Sequence, residues 1–237
     1  MRSRKRRDPY EEKKPYMVTD IFIGLCFSLF LISLGVIIAI NLRPLYYLCI
    51  SWFDIDTRSG LSADEIKLNY NALIDWCSPF HTGELRFPTL AASAAGISHF
   101  EDCKRIFNAI YIICGSGLLL SAAAVFWRTR EREYRYLLVS SIMSVALPTV
   151  VGIMCLISFD FTFTLMHKIL FTNDDWIFDP AKDPVINILP EGFFFVCAGV
   201  IILTVFVGAL ILLLRYRARK KRVRVTWLQP RKKNYIY

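Results

Sequence analysis

Residues 21–42 read IFIGLCFSLF, then LISLGVIIAI, then Asn41 and Leu42, with no Asp, Glu, Lys, Arg or His among them. A run of this length meets the ~20 residues a helix needs to cross ~30 Å of hydrocarbon. Three further runs of the same kind follow: Ile106–Trp127, Leu137–Phe159 and Phe193–Leu214. In lipid, every backbone N–H and C=O has to be satisfied within the segment, so the runs are expected as helices. The 55% hydrophobic content of the 237-residue chain agrees, and a soluble domain is excluded as a starting point. The expected fold class is an all-α integral membrane protein with four transmembrane helices. The first run is too long for a signal-peptide core, and Ala39-Ile40-Asn41 before Leu42-Arg43 offers no small-residue cleavage site. It is expected to persist as an anchor.

Charge sets the orientation. Arg2, Arg4, Lys5, Arg6, Arg7, Lys13 and Lys14 precede the first run, and Arg128, Arg130, Arg132 and Arg135 fill the short second connection. Residues 215–237 carry ten Lys and Arg from Arg215 to Lys233 and no acid. The third connection, 160–191, holds only Lys168 and Lys182 against Asp160, Asp174, Asp175, Asp179, Asp183 and Glu191. The positive-inside rule then puts both termini in the cytoplasm and the first and third connections outside. The domain plan is a basic N-terminal segment 1–20, a four-helix domain 21–214 with outer segments 43–105 and 160–191, and a basic tail 215–237. The net charge of +9 is thereby a matter of topology and anionic lipid head groups, and nucleic acid is not an expected partner.

Seven cysteines are scattered without a CxxC pair. Cys26, Cys114, Cys155 and Cys197 fall in the spans and read as packing residues. Cys77 and Cys103 share the first outer segment, where a disulfide is chemically permitted and two free thiols are the simpler reading.

The first outer segment is too long for a plain connector. Ser62-Ala63-Asp64-Glu65 forms a capping box, and Ile66, Tyr70, Leu73 and Cys77 continue at helical spacing until Pro79. An amphipathic helix is expected there, lying against the membrane surface or the bundle, with a small cap packed on itself as the alternative. A second box, Ser98-His99-Phe100-Glu101, is expected to open the second span with His99 in the first helical position, where the helix dipole opposes an imidazolium. Asp102 opposes that effect. Asp160, Thr164, His167 and Phe171 form a helical stripe that predicts a third helix running on past the lipid boundary. Pro190 and Glu191 suit the first turn of the last helix. The aspartates of the third connection lack the EF-hand ligand series and its central glycine, so no metal is expected.

His99 and His167 are the candidate site. They fall at two membrane boundaries that the topology brings to the same outer surface, and imidazoles near a pKa of ~6.5 are suited to moving protons. A boundary histidine bonded to a carbonyl is the ordinary alternative, but two on one face weigh against it. His81, in Pro79-Phe80-His81-Thr82-Gly83, reads as a loop residue.

Asn69-Tyr70-Asn71-Ala72-Leu73, His99-Phe100-Glu101-Asp102-Cys103-Lys104, Asn173-Asp174-Asp175-Trp176-Ile177-Phe178-Asp179-Pro180, Asp183-Pro184 and Leu189-Pro190-Glu191 together resemble the lipoprotein intramolecular transacylases (Lit) of Gram-positive bacteria. The resemblance runs from the first span through the fourth, and Cys103 departs from it where an aliphatic residue is expected. It implies a four-span enzyme of the cell membrane acting on diacylated lipoproteins. Such an enzyme moves the sn-2 acyl chain of the S-linked glycerol onto the α-amine of the same N-terminal cysteine, leaving a lyso-form lipoprotein. It maps the family's functional histidines onto His99 and His167. Asp102, Lys104, Asp160, Asn173, Asp174, Trp176 and Asp179 become candidates for binding or supporting the substrate.

The chemistry suits what the chain has. No G-x-S-x-G elbow is present, and Lys104 stands where an HxxxxD motif would need Asp, so an acyl-enzyme is unsupported. No cofactor is called for. When nucleophile and ester belong to one molecule, orientation alone can supply effective molarities of ~10⁵–10⁸ M. What remains is a general base for the amine and a donor for the oxyanion or leaving oxygen, with either histidine eligible for either role. A non-enzymatic four-span organising protein is the alternative, but the chain lacks the Cys-Cys-Gly and claudin-type signatures. A transporter would call for ionisable residues inside the spans, and there are none.

Overall fold

Serines and glycines interrupt the apolar runs, and the computed structural model of the chain shows what they do. It describes residues 16–228, with side chains to Lys220. The basic residues Arg2 to Lys14 and Arg231 to Lys233, and the side chains of Lys221, Arg222 and Arg224, lie outside the described residues.

Four long helices form the bundle: α1 (Met17–Asn41), α5 (Ala94–Arg130), α6 (Arg135–Ile157) and α9 (Glu191–Leu228). Each is long and apolar enough to cross a membrane. Helix α1 is the hub. It packs on α5, α6 and α9, and α6 packs on α9, whereas α5 leans chiefly on α1. Lipid gives helices no hydrophobic reason to associate, so close backbone approach and interhelical hydrogen bonds carry the packing. Gly35 admits the backbone of Ile201 so closely that a Cβ would sit 3.0 Å from its Cα. Ser28 meets Ser144 at 3.3 Å between α1 and α6, and the Ser141 hydroxyl donates to the Ala209 carbonyl between α6 and α9 at 2.9 Å.

At one end, α2 (Arg43–Trp52), α3 (Ile55–Ser59), α4 (Ala63–Trp76) and α8 (Val185–Ile188) build a cap. The predicted helix is α4, with Ser62 at its N-cap accepting the Glu65 N–H at 3.2 Å. Its stripe of Ile66, Tyr70, Leu73 and Cys77 is buried against Tyr46, Val185, Ile188 and Phe193, the last of them in α9, so the helix packs both within the cap and on the bundle. Tyr46 and Tyr70 stack, and the Tyr46 hydroxyl donates to the Ile188 carbonyl at 2.6 Å. The first and third connections are thereby joined at the same end.

At the other end, Asp20 and Arg128 are both 1% exposed and paired at 2.5 Å. Arg135 adds a second contact to Asp20 at 3.1 Å. The charge pattern puts Asp20 in the basic segment before the first span. Helix α1 in fact begins at Met17 and takes Asp20 into the bundle.

Two expectations are corrected. Helix α5 starts at Ala94 under Ser93, whose hydroxyl accepts the Gly96 N–H at 3.0 Å, so Ser98 is not the cap and His99 lies beyond the first turn. The third span does not run on through His167. Ser158, at φ −158° and ψ 103°, ends α6 and caps a new helix, α7 (Phe159–Leu170), by accepting the Phe161 N–H. A side-chain acceptor on an extended residue is what a fresh N-terminus requires.

Candidate active site

Helix α5 has 37 residues, about 55 Å at 1.5 Å per residue, nearly twice the hydrocarbon thickness. Its apolar run begins at Ile106, so the turns from Ala94 to Arg105 stand beyond the spanning part, and they carry His99. Helix α7 carries His167 from the other side. The two ring centroids are 5.9 Å apart, inclined by 33°, and the residues are 5% and 7% exposed.

Aromatic rings enclose the pair. Phe171 and Phe178 meet His99 edge-on at 4.8 and 5.4 Å, and Phe163 and Trp176 lie 4.1 and 4.9 Å from His167. This apolar wall disfavours the charged imidazolium. Burial, reinforced by the neighbouring His167 and opposed by Asp102 and Asp175, brings the pKa of His99 down to about 4. Burial also lowers that of His167, against the pull of its bond to the Phe163 carbonyl. Both rings are neutral near pH 7.

The hydrogen bonds differ. His167 Nδ1 lies 2.8 Å from the Phe163 carbonyl oxygen, which can only accept, so the neutral ring carries its proton on Nδ1 and leaves Nε2 bare. His99 Nε2 lies 3.4 Å from Cys103 Sγ, and its Nδ1 is buried without a partner. Burial pushes the Cys103 thiol up to about 12, which keeps its proton in place.

A loop from α7 to α8 covers this end. Asn173 donates to Asp102 Oδ2 at 3.1 Å, and Arg105 pairs with Oδ1 at 2.6 Å. Asp183, 3% exposed, accepts both the backbone N–H and the hydroxyl of Ser93 at 2.7 Å. Gly96 lets it in, since a methyl there would collide with the carboxylate. The carboxylate also sits at the electropositive start of α5.

Of the candidates read from sequence, His99, His167, Asp102, Asn173 and Trp176 come together. Lys104 turns away, with Nζ 4.3 Å from the Trp76 ring and donating to the His81 carbonyl. Asp160 is exposed near the start of α7, about two turns from His167. Asp174 is exposed, and Asp179 folds its own turn by accepting the Ala181 N–H and pairing with Lys182. Sequence reading missed Asp183 and the Phe163, Phe171 and Phe178 enclosure. Asp183-Pro184 stood in the quoted motifs, but nothing in them signalled its reach to Ser93. Cys77 and Cys103 are free thiols in the structure. Among the described residues no His, Cys, Asp or Glu cluster is suited to a metal ion.

The fold and site define a class: a four-span helical membrane protein with a neutral imidazole pair enclosed at one end of its bundle. Residues 21–194 match the family described as lipoprotein intramolecular transacylase Lit, and the chain belongs to that family. It is similar to the solved structure of the membrane-integral lipoprotein intramolecular transacylase Lit from Bacillus cereus. The two are 33% identical with a TM-score of 0.83, over 87% of this chain and 98% of that one. Two further Bacillus cereus Lit structures, with a histidine replaced by arginine or by alanine, match with a TM-score of 0.78. The arginine variant is 32% identical, over 88% of this chain and 95% of that one. For the alanine variant the figures are 33%, 87% and 96%. No curated protein matches. The chain is a multi-pass membrane acyltransferase that modifies lipoproteins.

Proposed function

We propose that His99 and His167 carry out the proton transfers of an O-to-N acyl shift on diacylated lipoproteins, at the outer face of a Gram-positive cell membrane. The observation that carries this reading is the 5.9 Å separation of two buried, neutral rings. Rings so placed can both reach the nitrogen and the oxygens carried by one tetrahedral carbon. The free α-amine of the lipoprotein's N-terminal cysteine attacks the sn-2 ester carbonyl. The bare Nε2 of His167 takes the proton that the nitrogen sheds as the C–N bond forms. The Cys103 thiol donates to His99 Nε2, leaving Nδ1–H as a donor toward the oxyanion and then the departing glycerol oxygen. Collapse breaks the C–O bond, the His167 imidazolium returns its proton to the glycerol oxygen while His99 Nδ1–H holds that oxygen, and the products are an amide and a secondary alcohol.

Sidedness follows from charge. Arg128, Arg130, Arg132 and Arg135 cluster at the end opposite the histidines, so the positive-inside rule supports an outer site. Drawing an acyl chain into water would cost ~0.8 kcal/mol per methylene, so the ester is best met at the membrane boundary. The choice of a histidine for substitution in two Bacillus cereus Lit structures is in keeping with an imidazole role.

The test is mass spectrometry of lipoprotein N-termini from cells expressing each variant. His99→Ala and His167→Ala should each reduce conversion by ~10²–10⁴-fold, the usual worth of a positioned acid or base. An asparagine amide can still donate but cannot act as a base, so His99→Asn should keep more activity than His167→Asn. Full activity in both alanine variants would refute the reading.

A further inference from the structure

We infer that the groove between α1 and α5, at the end opposite the histidines, is a binding site for an anionic phospholipid of the adjoining leaflet, its phosphate held between Arg130 and Arg219. The groove has a volume of about 670 Å³. The small residues Ser121 and Ala122 of α5 and the rings of Phe27 and Phe30 of α1 line it. It exists because α5 leans on α1 while its other flank is left open.

Length and charge identify the occupant. The lining runs along α5 from Leu118 to Arg130, ~18 Å at 1.5 Å per residue, a little more than one leaflet's half of the ~30 Å hydrocarbon. The apolar part ends where the two arginines begin, as a lipid's chains end at its head group. Among the described residues neither guanidinium pairs with a carboxylate. Arg130 lies 4.2 Å above the Phe126 ring and Arg219 lies 5.4 Å from the Tyr134 ring. The ring contacts restrain the two guanidinium groups, and their N–H donors suit phosphate oxygens. A detergent or neutral lipid would use the apolar lining and ignore the arginines.

The test uses the full-length chain in nanodiscs and in detergent. In wild type, phosphatidylglycerol should raise the unfolding temperature more than phosphatidylcholine at equal mole fraction, and native mass spectrometry should retain phosphatidylglycerol adducts. The double variant Arg130→Ala/Arg219→Ala should lose that preference by about tenfold or more, and the double lysine variant should keep much of it. Ala122→Phe, which puts a large ring into the lining at an exposed position, should lose the adduct as well. The His99→Ala variant should bind as wild type does, so failure of the transacylase reading leaves this result separate. Equal response to the two lipids would overturn the proposal, as would a preference that survives the double alanine change and so resides in the basic termini. A response to glycerol 3-phosphate as large as that to the lipid would also overturn it.

Discussion

Asp183 grips Ser93 from 90 residues away in sequence, taking its backbone N–H and its hydroxyl with separate carboxylate oxygens. That pair ties the loop after α7 to the start of the helix bearing His99. The imidazole spacing therefore depends on a residue that touches neither ring. Asp183→Ala should unfold about 1–3 kcal/mol more easily, the cost of leaving buried donors unpaired. It should also slow conversion with the substrate still bound. Thermal unfolding and the N-terminal mass assay measure the two effects. Gly96→Ala should reproduce both, and wild-type behaviour of both variants would show the tie to be idle.

Stability should fall with acid in a defined window. The pKa of His99 is about 4 in the folded chain, against 6.5 for the ordinary side chain. Above pH 6.5 both folded and unfolded chains hold it neutral, and it contributes no pH dependence. Between 6.5 and 4 the unfolded chain binds a proton that the folded chain refuses, so stability declines as pH drops. His167, also lowered, acts in the same direction. Unfolding temperatures from pH 8 to pH 4 should be level and then fall below 6.5. In His99→Phe the fall should be shallower.

Cys103 is a modest contributor. Replacing its thiol by the branched alkyl of valine removes one neutral hydrogen bond to His99 Nε2, worth about 1 kcal/mol, so Cys103→Val should lose activity by tenfold or less. Cys103→Ser, which restores a donor, should lie closer to wild type. Complete loss in the valine variant with an intact fold would assign the thiol a larger part than this.

The ion pair at the far end should behave as a structural clamp. Arg128→Ala leaves Asp20 buried with only the half-exposed Arg135, and such a break costs ~3–5 kcal/mol. Replacing both partners, as Asp20→Leu with Arg128→Met, should recover much of that loss in thermal unfolding. Activity per folded molecule should hardly change in either variant.

The four spans and the α4 stripe were legible because each rests on one strong local pattern: unbroken apolarity, or burial every third or fourth residue. The histidine pair was legible as a pair only through topology and family likeness. Ser158 hid its break because apolar residues continue on both sides of it, and composition cannot distinguish one helix from two joined end to end. Ser98 offered a better-looking box than Ser93, yet Asp183 reaches Ser93 from the third connection and decides the matter. Asp20 reads locally as part of the basic segment because its partner is 108 residues away. Long-range polar partners leave no local period to read.

The second start at Ser158 gives the two imidazoles unlike mountings. His99 is fixed to a rod that runs unbroken to Arg128, whereas His167 rides a short lever whose pivot is one extended residue. A change of torsion at Ser158 would therefore alter the spacing of the rings from the α7 side alone, since His99 belongs to a helix of the bundle.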